Sequence, residues 1–101
     1  MKTLEQLQSS DFASRLNQIF TIRLEGMEPI DLELVLVTER GQGFRPGARQ
    51  PFSLHFLGPV SSQYLLQNMY RLEHPEMGAL DIFLVPLGPE EGRMRYEAIF
   101  N

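Results

Sequence analysis

A two-residue rhythm of apolar side chains constrains this chain more than any other feature. From Phe20 to Phe100, apolar residues fall on alternate positions in successive short runs, and each run meets turn-forming residues. Period two is the spacing of a strand with one buried face, so the chain must build sheet. Phe20, Ile22 and Leu24 share one face while Thr21, Arg23 and Glu25 share the other. Gly26-Met27-Glu28-Pro29 reads as a turn into a second strand, Ile30 to Val37, with Ile30, Leu32, Leu34 and Leu36 inward. The outward set of that strand changes from Asp31 and Glu33 to Val35 and Val37, which predicts a cover over its far end.

The remaining runs follow the same logic. Phe52 to Phe56 reads as a third strand, with Phe52, Leu54 and Phe56 inward, His55 outward, and Gly58-Pro59 ending it. Residues 60–68 fit either a helical turn or a strand lead-in. Met69 to Glu73 reads as a fourth strand, turned at His74-Pro75 because the residue before a proline is held out of helical geometry. Ala79 to Val85 is apolar on both faces apart from Asp81, as expected of a central or doubly covered strand, with Pro86 closing it. A turn at Pro89-Glu90-Glu91-Gly92 returns the chain as Met94 to Phe100, with Met94, Tyr96, Ala98 and Phe100 inward.

Residues 1–18 read as two short helical pieces. Thr3 with Gln6 fits a capping box, and Ser9-Ser10-Asp11 offers a second start. Helices this short need tertiary support, so Leu4, Leu7, Phe12 and Leu16 are expected to pack on the sheet. The expected fold is mainly β, a six-stranded, mostly antiparallel open barrel or sandwich with a short N-terminal helical element. At 101 residues it makes a single domain, 1–101, with the helical element over 1–18 and strands over 19–101.

Composition excludes several classes of function. A net charge of −4 is the wrong sign for general nucleic-acid binding, which needs cations along the phosphates. Cysteine is absent, which removes thiol chemistry. No apolar run approaches the roughly 20 residues that cross a bilayer, and Met1 to Gln6 is too polar for a secretory signal. The expectation is a cytoplasmic protein without membrane insertion, signal-free export within an assembly being left open. Charge is nevertheless uneven: Arg40, Arg45 and Arg49 lie in a loop without a single acid, beside Phe44. The ordinary reading is a solvated loop, and the sharper one is a docking loop for an acidic surface.

Candidate chemistry is sparse. His55 and His74 alone could serve as bases near neutrality or as nitrogen ligands. A site of both histidines with Glu73 or Glu76 can be drawn, but metal-ligand spacing is missing, so no metal and no cofactor are expected. In the plain reading His55 is an exposed strand residue and His74 a turn residue bonded to a backbone carbonyl. Ser61 and Ser62 lack a nucleophile elbow and are explained by turn chemistry. The glycines between Gly41 and Gly47 precede no Gly-Lys-Ser/Thr and no helix, so they form no phosphate loop.

The segments Phe52-Ser-Leu-His-Phe-Leu-Gly-Pro59, Tyr70-Arg-Leu-Glu-His-Pro-Glu-Met-Gly78, Ile82-Phe-Leu-Val-Pro-Leu-Gly88 and Tyr96-Glu-Ala-Ile-Phe-Asn101 carry a resemblance. Together with Asp11-Phe12 and Phe20, they resemble a family of small bacterial domains of unknown function ending in Tyr-Glu-Ala-x-Phe-Asn. That resemblance implies company with proteins similar to phage-tail collar or fibre modules, and no transferable site residues. The functional expectation is a non-enzymatic protein-interaction or assembly module, accessory to a tail-collar- or fibre-like assembly. Arg40, Phe44, Arg45 and Arg49 are the candidate interface, with a protein partner or a second copy as occupant. The alternative is a small ligand-binding or hydrolytic β-barrel using His55 or His74.

Overall fold

A computed structural model describes residues 4–40 and 50–100. A 3₁₀ turn at Leu4–Gln6 and a helix α1 (Ser9–Ala13) precede six strands: β1 (Ile19–Ile22), β2 (Ile30–Glu39), β3 (Phe52–Val60), β4 (Asn68–His74), β5 (Gly78–Glu90) and β6 (Arg93–Phe100). All pairings are antiparallel in the order β1-β2-β3-β6-β5-β4, and β4 returns to β1. The sheet is therefore a closed barrel, which corrects the expectation of an open barrel or sandwich. Closure rests on the short register Thr21↔Glu73 and Ile22↔Leu72, between strands far apart in sequence. Alternation describes each strand's two faces equally well in a sandwich, so it could not decide this.

The inward faces fill the interior. Phe20, Leu32, Leu34, Leu54, Phe56, Leu72 and Leu84 are completely buried, and Ile22, Ala98 and Tyr96 nearly so. Helix α1 closes one end. Its start is set by Gln8, whose backbone N–H donates to the Asp11 carboxylate at 2.8 Å, an acid placed where the helix dipole favours it. The helix sends Phe12 into the barrel end, with ring centroids 6.3 Å from Phe20, 5.8 Å from Phe52 and 5.5 Å from Phe100. Leu7 is buried as expected, but Leu16 is 41 % exposed: the helix stops at Ala13, and the i+4 spacing that would carry Leu16 inward stops with it. Asn17, at φ 69°, then turns the chain into β1.

Bulges account for the other departures from strict alternation. In the β2–β3 ladder the register passes from Leu34↔Phe56 to Leu36↔His55, leaving Val35 as an extra residue. One extra residue inverts the faces. Leu36 is consequently outside at 42 % exposure, while Val37 packs on the core. The change of outward residues along β2 thus marks a bulge as well as a face.

Gly58-Pro59 does not end β3, and Pro86 does not end β5. The extra residue in β3 lies between Leu57↔Arg95 and Val60↔Arg93, and the one in β5 between Pro86↔Tyr96 and Gly88↔Arg95. Arg93 stabilises the first bulge by donating from Nε to the Gly58 carbonyl at 2.7 Å and from Nη2 to Glu33 at 3.2 Å. Pro86 and Pro89 are tolerated because β5 pairs with β4 only as far as Leu84 and beyond that with β6 alone. Glu91 (φ 54°) and Gly92 (φ 80°) complete the hairpin as a two-residue turn, both in the left-handed region that such turns require.

The barrel has two different ends. Helix α1, the β4–β5 turn and the departure of the β2–β3 connection lie at the plugged end. There the Arg40 N–H donates to the Pro51 carbonyl at 2.7 Å. The β1–β2 turn, the β5–β6 hairpin and the 61–67 crossover lie at the other, here termed the mouth. The crossover carries the chain from β3 to β4 past the two intervening strands.

Candidate interaction surface at the barrel mouth

The mouth crossover is held by its backbone and displays its side chains. The Leu65 N–H donates to the Tyr96 hydroxyl at 2.8 Å, and the Tyr70 hydroxyl donates to the Leu66 carbonyl at 2.6 Å. The Ser61 N–H donates to the Gly92 carbonyl at the hairpin tip, 3.1 Å away. Tyr96 comes from the inward face of β6, and its burial pushes its phenol pKa up, so the hydroxyl stays protonated across the physiological range. Leu65 turns onto the core, whereas Tyr64 and Leu66 face out.

The surface that results is apolar. Val60 at 78 % and Leu66 at 72 % are the most exposed large apolar residues among those described, and Met27, Tyr64 and Leu87 are also exposed at the same end of the barrel. Two grooves flank Tyr64. One, of about 430 Å³, lies between the crossover and the hairpin, against Pro86, Leu87 and Pro89. The other, of about 410 Å³, lies between the crossover and the β1–β2 turn, against Met27, Pro29 and Ile30. Exposed apolar side chains rimmed by polar residues are a mark of interaction sites. Acids surround it: Glu25, Glu28 and Glu91 are exposed and form no ion pair with any described residue. The nearby cations are engaged elsewhere, Arg93 with Glu33 and Arg95 with Glu90.

Of the docking loop read from the sequence, Arg40 is exposed at the plugged end, its carbonyl accepting from Gln50 Nε2 at 3.4 Å. Phe44, Arg45 and Arg49 lie outside the described residues. The mouth residues went unnoticed in the sequence because each sits in a turn or beside a proline. Only their convergence makes a surface, and the sole local hint was Tyr64-Leu65-Leu66 in a stretch without clear period.

The histidines are both built into the framework. His55 is half-buried on the outer face of β3, where an exposed residue was expected. Its Nε2 meets Glu97 at 3.1 Å, and its Nδ1 accepts from Arg95 Nη1 at 3.1 Å. His74 is buried at 6 % exposure with its ring 4.7 Å from that of Phe20. Its Nδ1 accepts from the Glu76 N–H at 3.1 Å and the Met77 N–H at 3.4 Å, and its Nε2 donates to Gln18 Oε1 at 2.7 Å. The partners are backbone amides and not the carbonyl anticipated, because the tight turn after Pro75 aims N–H groups back at the ring. Burial lowers the His74 pKa, and the positive Arg15 lowers it further against a small opposing effect of Glu76.

Glu73 and Glu76 pair with Arg23 and Arg15 at 3.3 and 3.5 Å. Among the described residues, no three His, Asp or Glu side chains gather as a metal site would need. Ser61 Oγ accepts from the Gln63 N–H at 3.0 Å, a serine turn. A second apolar area lies on the side of the barrel, where Met69 and Phe83 are cross-strand partners, 54 % and 45 % exposed. Phe83 was expected to be covered, but the outer face of β5 stays open among the described residues.

A family model spans the barrel together with α1, matching residues 7–100. The chain belongs to DUF6916, a domain of unknown function. No curated protein and no solved structure matches it. Among the described residues, no helix is long and apolar enough to cross a membrane.

Proposed function

We propose that this domain is a non-enzymatic protein-interaction or assembly module whose partner surface is the barrel mouth. The observation that carries this reading is the crossover, whose backbone is tied by two tyrosine hydroxyls while Tyr64 and Leu66 project into solvent. A backbone already fixed in one conformation loses little entropy on binding, and tyrosine flanked by grooves is a favoured interface anchor. Burying a side chain such as Leu66 against a partner contributes about 1.5–3 kcal/mol. The setting proposed, an accessory part of a tail-collar- or fibre-like assembly, comes from the sequence resemblance.

The alternative is a ligand-binding or hydrolytic barrel using His55 or His74, and His74 does line a separate open groove of about 350 Å³ with Thr21, Arg23 and Glu73; the engagement of the ring nitrogens weighs against it. All four ring nitrogens are engaged, and neither ring lines the mouth grooves. A photo-crosslinking amino acid placed at position 66, with position 71 on the barrel side as control, tests the proposal in living cells. Position 66 is expected to trap one discrete protein adduct and position 71 none. Absence of any adduct at 66 would overturn the reading.

A further inference from the structure

We infer that the barrel mouth receives a proline-rich segment of a partner protein, extended as a polyproline II helix with a basic residue beside it. The inference rests on reading the mouth as the partner surface and names what fits it. Tyr64 lines both mouth grooves, so its ring stands as a ridge between them. Rigid rings form part of the remaining walls, Pro86 and Pro89 in one groove, Pro29 and Pro59 in the other. Met94 lines the first groove and Tyr96 the second. They are alternate residues of β6, about 7 Å apart along an extended strand. A polyproline II helix advances about 3.1 Å per residue, so side chains two or three residues apart enter neighbouring grooves across the Tyr64 ridge.

Hydrogen-bonding capacity separates this occupant from a helix or a strand. Polyproline II has no internal hydrogen bonds, so its carbonyls are free to accept. The mouth supplies hydroxyl donors: Tyr64 bonds to no described residue, and the Tyr96 hydroxyl accepts from the Leu65 N–H while donating to no described residue. An α-helix uses its carbonyls internally. A β-strand needs an open sheet edge, and the edge bordering the grooves, β5 beyond Leu84, contains Pro86 and Pro89, which carry no N–H. Charge selects the flanking residue. Glu28 lines one groove, while Glu25 and Glu91 stand exposed in the adjoining turns, and none of the three forms an ion pair with a described residue. An arginine or lysine beside the prolines complements these acids.

The test is titration of the isotope-labelled full chain, followed by NMR, with an oligoproline peptide of about ten residues carrying an arginine at each end. Amide shifts are expected at Met27, Tyr64, Leu65 and Leu87, and high salt should weaken the affinity. Tyr64→Ala should weaken binding roughly ten- to a hundredfold, the range of an interface anchor. Tyr64→Phe keeps the ridge but loses the hydroxyl, and should weaken it roughly two- to tenfold. Tyr64 is exposed, so both variants leave folding intact. A control peptide with glycine at alternate positions keeps the arginines but loses the pre-organised extension, and should bind at least roughly tenfold more weakly. No shift at the peptide's solubility limit, shifts away from the mouth, equal binding of the glycine control, or indifference to Tyr64→Ala would each overturn the inference. If the peptide fails while position 66 still traps a protein, only the proline-rich occupant falls. If both fail, the interaction reading falls with it.

Discussion

Replacing His74 by phenylalanine separates the ring's packing from its hydrogen bonds. Phenylalanine keeps an aromatic ring against Phe20 but offers no acceptor to the Met77 and Glu76 amides and no donor to Gln18. Glu76 and Gln18 are exposed, so water can replace the ring at both. The Met77 amide is the costly loss, because the residue is buried at 7 % exposure. Leaving a buried donor without a partner costs about 1–3 kcal/mol. For a domain of this size the melting temperature then falls by roughly 4–8 °C per kcal/mol. The same variant reports on protonation. His74 has its pKa lowered in the folded state from 6.5, so protons bind the unfolded chain more readily. Its contribution to stability is complete above 6.5 and is lost as the pH falls from there through the folded value. Urea unfolding measured from about pH 8 down to about pH 5.5, above the main carboxylate range, should show the wild-type stability falling more steeply than that of His74→Phe. The two proteins differ at position 74 alone, so the difference between the curves isolates His74. Parallel curves, or a variant as stable as the parent near pH 8, would refute the assignment of Nδ1 as the acceptor for those amides.

Three further outcomes follow from the packing. Phe12→Ala removes the plug and should destabilise by about 3–5 kcal/mol in chemical denaturation, as full truncation of a buried phenylalanine does; a loss below 1 kcal/mol would mean that the end collapses around the void. Tyr96→Phe removes the acceptor for the Leu65 amide, at a cost of about 0.5–1.5 kcal/mol, and should speed hydrogen exchange at Leu65 well before the rest of the barrel opens. Gly92→Ala places a Cβ at φ 80° in the hairpin turn and should cost about 1–2 kcal/mol, measurable by thermal melting, although the nearest side-chain atom is an ordinary 3.5 Å away.

Strand identity was legible wherever alternation was uninterrupted. Phe52, Leu54 and Phe56 in β3, Leu80, Ile82 and Leu84 in β5, and Tyr96, Ala98 and Phe100 in β6 all point inward as their spacing indicates. The expectation failed where one residue was added or one proline fell at a place the ladder could spare. Val35 is indistinguishable from any other strand valine until its register against His55 is known. Pro86 reads as a terminator until β5 is seen to pair on one side alone beyond Leu84. The candidate surface was less legible still, since Met27, Val60, Tyr64, Leu66 and Leu87 come from segments remote in sequence. Position relative to the other strands gives them a common face.

Local sequence by itself determined the pleat, the inward set of most strands, the turn at Glu91-Gly92 and the need of Phe12 for a core. Each depends on neighbours within a few residues, through side-chain alternation, backbone sterics and the dipole of one short helix. Tertiary structure alone decided that the sheet closes, that Leu36 faces water, that His74 receives amides, and that the crossover is tied to Tyr96 and Tyr70. Those outcomes belong to pairings between distant strands, whose free energy comes from burying surfaces together and is not written in any single stretch of the chain.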